Sequence, residues 1–207
     1  MTFPGNAAGL DLFMPVKRAV HNPSAIYFIS YTCYRWRHLF ELTQGYDIVY
    51  KWLEWLQKKG NLVLGYVIMP NHLHVMLAFP KMEKPLSSFI SNGKRFIAYE
   101  LVTRLAIAGQ LNILSEMARG VSTSDFKRGK RHQVFEPSFD WKRCYADWFI
   151  EQKLDYMHDN PCKGNWELAS CREDYEHSSA GFYTFGRPGT IRIDHYLDVL
   201  EMGIWAE

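Results

Sequence analysis

An α+β fold, with an antiparallel sheet covered by helices on one face, is predicted by three observations. Segments dense in aromatic and β-branched residues alternate with segments of helical spacing, in the order strand, helix, strand, strand, helix, strand. The two middle strands are separated only by Pro70-Asn71, a turn or strand bend. No internal repeat or second domain interrupts the pattern. Together these describe a split β-α-β sandwich, the ferredoxin-like arrangement, with one further helix appended.

Residues 1–24 carry Pro4, Pro15 and Pro23 among scattered polar groups, and form a leader that wraps the domain or is loose. From Ala25 to Tyr34 the run Ile26, Tyr27, Phe28, Ile29, Tyr31, Thr32 predicts a strand. Between Gly45 and Lys59, Ile48, Val49, Trp52, Leu53, Trp55 and Leu56 recur at roughly helical spacing, and Gly60 closes the helix. Strands follow at about 62–69 and 72–79. Pro85 begins a helix reaching about Ala108, with Leu86, Phe89, Ile90, Phe96, Ile97 and Leu101 inward. Residues 109–132 lose periodicity and suggest a long surface loop, helical at most at its start. A short strand is expected at Gln133–Glu136, then a helix over about 145–158 that ends near Asn160 because a residue before proline is pushed out of the α region. The domain proper spans 25–185, and the apolar tail 186–207 is expected to dock on its core.

Composition narrows the function class. The 207 residues suffice for one domain with a real core, and 47% apolar against 22% charged describes a folded chain. A net charge of +2 does not by itself argue for nucleic acid. Lys127-Arg128-Gly129-Lys130-Arg131 is a basic cluster, with Lys94-Arg95 and Lys142-Arg143 as smaller ones. Such patches contact phosphates, although a lone charge run is more often solvated surface. Cys33, Cys144, Cys162 and Cys171 have no C-x-x-C spacing, which excludes a zinc ribbon and a thioredoxin motif and leaves reduced structural thiols. No apolar run approaches a membrane span, and the amino terminus lacks a secretory signal's apolar core, so a cytoplasmic protein without a membrane partner is expected. Ser91-Asn92-Gly93-Lys94-Arg95 lacks the first glycine and the final Ser/Thr of a phosphate-binding loop, so no nucleotide cofactor is expected.

The chemistry concentrates in two places. In His72-Leu73-His74 the two imidazoles point the same way if the segment is a strand, giving half of a metal site. Alone, such a pair is more often solvated. A histidine-triad hydrolase would need a third histidine where Met76 stands, and the H-E-x-x-H proteases need a glutamate that is absent. Some eighty residues on, Leu154-Asp155-Tyr156-Met157-His158-Asp159-Asn160-Pro161 places Tyr156 and Asn160 at i and i+4 on one helical face. Tyr156 is then either a nucleophile or an ordinary core tyrosine among twelve. Asn160 would supply a third metal ligand, with Asp155 and Asp159 as competitors.

Val67-Ile68-Met69-Pro70-Asn71-His72-Leu73-His74 and Leu154 to Gly164 together resemble the REP-associated tyrosine transposases, of the single-tyrosine HUH class. That family pairs a strand carrying MPNHxH with a helix ending in Y-x-x-x-N-P-V-K/R-x-G. The segment from Tyr27 to Thr32, with Arg37, Leu39 and Phe40, resembles its first strand and following turn. The resemblance covers about residues 25–180. It implies a histidine motif on a central strand, a nucleophilic Tyr156 on a C-terminal helix, and a divalent metal, Mg²⁺ or Mn²⁺, on His72, His74 and Asn160. It implies cleavage of single-stranded DNA beside a REP-like hairpin through a 5′-phosphotyrosine, then rejoining without ATP. Lys94, Arg95, Lys142 and Arg143 would hold phosphates. A monomer is expected over the helix-exchanged dimer of related insertion-sequence enzymes. Cys162 replaces the usual aliphatic residue, and the leader and the basic loop 120–131 have no counterpart. Two other readings stand beside this one: a domesticated hairpin-binding protein that does not cut, and a metal phosphodiesterase using water, for which Tyr156 would be dispensable.

Overall fold

The computed structural model describes residues 24–205, so nearly all of the leader lies outside the described residues. Strands β1 (Ala25–Thr32), β2 (Leu62–Met69), β3 (His72–Phe79) and β4 (Asp140–Cys144) form one antiparallel sheet in the order β2-β3-β1-β4. That order is the ferredoxin-like one, and it makes β3 and β1 the interior strands. β3 is buried along its whole length.

Eight helices accompany the sheet among the described residues: α1 (Leu39–Leu42), α2 (Tyr46–Lys58), α3 (Leu86–Ile107), α4 (Leu111–Arg119), α5 (Thr123–Lys127), α6 (Asp147–His158), α7 (Ala180–Phe185) and α8 (Tyr196–Glu201). α2 and α3 cover the face presenting Tyr27, Ile29, Tyr31, Leu73, Val75 and Leu77. The stripe of α3 runs through Leu86, Ile90, Gly93, Ile97, Leu101 and Leu105, at intervals of three and four, and Phe96, expected inward, falls off it and is exposed. Gly93 faces the Trp52 indole so closely that a Cβ there would lie 2.3–2.7 Å from its ring atoms. Gly→Ala in a helix ordinarily gains up to about 1 kcal/mol. Here the clash outweighs it, and Gly93→Ala is expected to destabilise by about 1–3 kcal/mol. An unchanged or raised urea midpoint would contradict this.

The expectation of helices on one face needs correction. The opposite face, with Ile26, Phe28, Val67, Met76 and Ala78, is covered by Ile150, Leu154 and Met157 of α6 and by Tyr196 and Val199 of α8. A strand whose two faces are both apolar needs both covered. The second cover is what the appended helix and the tail provide.

Two other expectations shift. Gln133–Glu136 forms no named strand, only an isolated bridge between Phe135 and Cys33; the fourth strand is Asp140–Cys144. Among the described residues its one ladder is with β1, and its alternation of exposed and half-buried residues lacks the apolar signature of a core strand. The 109–132 segment contains α4 and α5 rather than a loop. α4 buries Met117, and Ser122 caps α5 by accepting from the Asp125 amide at 3.2 Å.

α6 is held to the sheet at two points. At the irregularity between Val63 and Gly65 in β2, a Cβ on Gly65 would come within 2.7 Å of Leu154 Cδ2 and 3.2 Å of Met157 Cε. The missing side chain lets the helix approach. His158, also buried, contacts Ser179 Oγ at 2.8 Å, and that hydroxyl accepts from the Tyr66 amide at 2.9 Å. Burial pushes the His158 imidazole down to about 4, helped by Arg172 and opposed by nearby carboxylates. It is therefore neutral in the fold, while the unfolded chain takes up a proton below about pH 6.5. The unfolded state then binds more protons, so stability falls as pH drops from about 6.5 toward 4, by up to roughly 3 kcal/mol from this group. Urea unfolding at pH 7.5, 6 and 5 measures it; a flat profile would contradict it.

The tail returns to the domain. The Asp194 amide donates to Val63 O at 2.9 Å, and Ser24 Oγ donates to Ile204 O. Among the described residues no helix is long and apolar enough to cross a membrane, and the four cysteines are free.

Candidate active site

His72 and His74 stand on β3 opposite Thr32 and Ser30 of β1, on the α6 face. Their ring centroids are 4.8 Å apart at 80°. Both are buried, at 6% and 5% exposure, which removes them from the solvated-pair alternative. Burial pushes His72 down to about 4, partly opposed by a hydrogen bond with the Asn160 side chain. Burial, then the neighbouring His72, pushes His74 down to about 3. Both are neutral near pH 7, the form that ligates metals.

The tautomer of His72 follows from its neighbours. The Asn71 amide nitrogen donates to Trp36 O at 3.1 Å, which turns its oxygen toward His72 Nδ1, 2.6 Å away. Nδ1 therefore donates, and Nε2 keeps its lone pair. An acceptor behind the ring holds an imidazole in one tautomer and orientation. His74 Nδ1 is buried without a partner among the described residues, and its ring stacks on Phe28 at 5.5 Å.

Tyr156, on α6, projects over this pair. Its ring lies 5.5 Å from that of His74 at 73° and 6.0 Å from Phe28, yet the residue is 53% exposed. That exposure sets it apart from a core tyrosine. Asn160, just past the helix, donates its amide nitrogen to Tyr156 O at 3.0 Å, and its side chain lies beside His72. The competing carboxylates are engaged elsewhere. Arg172 contacts Asp155 at 2.7 Å and Asp159 at 3.3 Å, and Lys163 contacts Asp159 at 2.6 Å. Among the described residues no group of three or more His, Cys, Asp or Glu could hold a metal. A site here would rest on two imidazoles and one amide oxygen. The donor set fits a divalent cation: neutral nitrogens, one of them buried and unpaired, and an uncharged oxygen.

The basic residues divide. Lys142 pairs in register with Phe28 and so lies on the histidine face, exposed; Arg143 pairs with Tyr27, on the opposite face. Lys94 does not reach out to solvent. Its ammonium donates to the carbonyls of Glu136 at 2.7 Å and Ser138 at 3.1 Å, and burial pushes it down to about 8. Arg95 is exposed and donates to Asn92 at 3.3 Å. In the basic cluster Arg128 and Lys130 pair with Asp125, Arg131 lies over the Phe126 ring, and Lys127 is exposed.

Sequence reasoning passed over Lys153. Its ammonium sits 5.7 Å from the Tyr156 ring centre and 5.7 Å from that of Phe28. The i, i+3 spacing to Tyr156 was the available signal. Trp36 and Trp166, each 6.2 Å from His72 by ring centres, were also missed; they come from loops distant in sequence.

No protein-family model and no curated protein matches the sequence. Among solved structures, a REP-associated tyrosine transposase bound to a REP hairpin aligns with a TM-score of 0.57 at 16% identity, over 87% of this chain and 93% of that one. A protein described as a transposase from Deinococcus radiodurans aligns at 13% identity over 70% of this chain and 97% of its own, with a TM-score of 0.36. The first likeness establishes a shared fold.

Proposed function

We propose that this protein is a REP-associated tyrosine transposase: a metal-dependent strand transferase that cuts single-stranded DNA beside a hairpin and rejoins it. The observation that carries this reading is the convergence of an exposed tyrosine, two buried neutral histidines and one asparagine from two separate elements. Likeness of fold to a transposase that binds a REP hairpin supports it.

The phenol oxygen of Tyr156 attacks the scissile phosphorus, forming an O–P bond as the bond to the 3′-oxygen breaks. The phenol proton leaves to solvent and the 3′-oxygen gains one. The product is a 5′-phosphotyrosine and a free 3′-hydroxyl, and attack by another 3′-hydroxyl reverses the step. Bond energy is conserved, so no nucleotide is consumed. Phosphoryl transfer depends mainly on positioning and charge stabilisation. His72, His74 and Asn160 would hold Mg²⁺ or Mn²⁺, which supplies charge stabilisation at the phosphate oxygens. Lys153 and Lys142 place positive charge on the same face.

The test is to mix purified protein with labelled hairpins carrying single-stranded flanks from its own genomic neighbourhood, plus Mg²⁺ or Mn²⁺, on a denaturing gel. A metal-dependent adduct that survives denaturation is expected. Cutting without an adduct would favour the water-using phosphodiesterase, and binding with neither product the non-cutting binder.

A further inference from the structure

A cleft of about 150 Å³ opens beside the histidines, lined by Ser30, Thr32, Trp36, Glu136, Ser138 and Asp140. Sheet register fixes its place. Ser30 pairs with His74 on one side and Asp140 on the other, and Thr32 pairs with His72. The cleft therefore floors the same face as the candidate active site. The side chains of Ser30, Thr32 and Asp140 have no hydrogen-bond partner among the described residues, so the cleft presents two hydroxyls and a carboxylate unused by the fold.

Its wall is an aromatic ring in an expensive place. Trp36 is 64% exposed, and both it and Arg35 have positive φ, 57° and 52°, a conformation bulky residues rarely adopt. The strain is held from several directions. The Arg35 amide donates to Glu136 Oε1 at 2.8 Å, the Trp36 amide to Cys33 O at 3.0 Å, and Trp36 O accepts from Asn71. Arg35 and Arg37 both pair with Glu116. Lys94 clamps the opposite wall through the carbonyls of Glu136 and Ser138. A fold that anchors a strained turn this firmly, only to expose its indole, is presenting that indole to something.

We infer that this cleft receives one unpaired nucleobase of the single-stranded flank, stacked on Trp36 with its polar edge toward Ser30, Thr32 and Asp140. The inference rests on the strand-transferase reading and adds to it a specificity subsite. Small volume suits a single flat heterocycle and not a base pair. Two carboxylates at the rim disfavour a phosphate, so the base enters and the backbone passes outside. Asp140 accepts only, which favours a base with an exocyclic amine over thymine.

The test uses full-length protein without divalent metal, so that it does not depend on cleavage. Affinities are measured by fluorescence anisotropy for a blunt hairpin and for flanked hairpins carrying one abasic site at each flank position in turn. Trp36→Ala should weaken binding of the flanked hairpin by about tenfold or more and leave the blunt hairpin unchanged. Trp36→Phe should restore most of the loss. One abasic position should cost wild type as much as Trp36→Ala does and cost the variant nothing further. Asp140→Asn should narrow the preference for an amine-bearing base over thymine at that position. Equal losses on both hairpins, no rescue by phenylalanine, or no non-additive position would overturn the subsite. A wild-type adduct alongside any of those results would leave the strand-transferase reading intact; coupling without an adduct would remove that reading and keep the base cleft.

Discussion

Tyr156→Phe is expected to abolish the covalent protein–DNA product and to lower metal-dependent strand cleavage by at least about a thousandfold, the scale typical of removing a covalent nucleophile. The substitution deletes only the hydroxyl. The ring remains to pack against His74 and Phe28 and beneath the Lys153 ammonium. Because the residue is half exposed, stability should change by less than about 1 kcal/mol. Hairpin affinity should stay within about twofold, separating chemistry from recognition. Persistence of an adduct would assign the nucleophile to another residue. Unaltered cutting without an adduct would assign the attack to water.

The second large effect is expected at the histidines. His74→Gln keeps a polar side chain of similar reach but removes the imidazole nitrogens. Lewis-acid stabilisation of a phosphoryl transition state contributes several kcal/mol, which corresponds to about two to three decades in rate. Cleavage should fall by that much, and adding excess Mn²⁺ should recover little of it. A readout independent of activity is the thermal shift on adding Mn²⁺: the wild-type protein gains stability from a ligand that binds only the fold, and the variant does not. His72→Gln should behave alike, and Asn71→Ala more mildly, because Asn71 acts only by orienting His72. An equal metal-induced shift in all the variants would rule out a metal on these residues.

Much of this was legible in the chain. The histidine strand announced itself through an apolar run broken only at Pro70-Asn71, and the helix of Tyr156 through its halt before Pro161. What hid was of two kinds. β4 hid because its pairing partner, not its own composition, makes it a strand. The cleft beside the histidines hid because its lining comes from residues as far apart as Ser30 and Asp140, joined only by register. Lys94 misled for a related reason. A lysine in a basic dipeptide suggests solvent, and nothing local in sequence reveals that two loop carbonyls will take its ammonium inside. The engagement of Asp155 and Asp159 likewise comes from outside the motif's local pattern, through Arg172 and Lys163.

The histidines and the tyrosine share one fate. β3 is hydrogen-bonded on both sides, to β1 and β2, so its amides can exchange with solvent only by rare, near-global opening. α6 bears on that strand's neighbourhood through buried Ile150, Leu154 and Met157, the gap at Gly65 and the His158–Ser179 contact. Lifting the helix would strip one apolar face of the sheet of its cover. Heat or denaturant should therefore remove nucleophile and platform in a single step. Loss of activity and loss of far-ultraviolet signal would then trace the same curve.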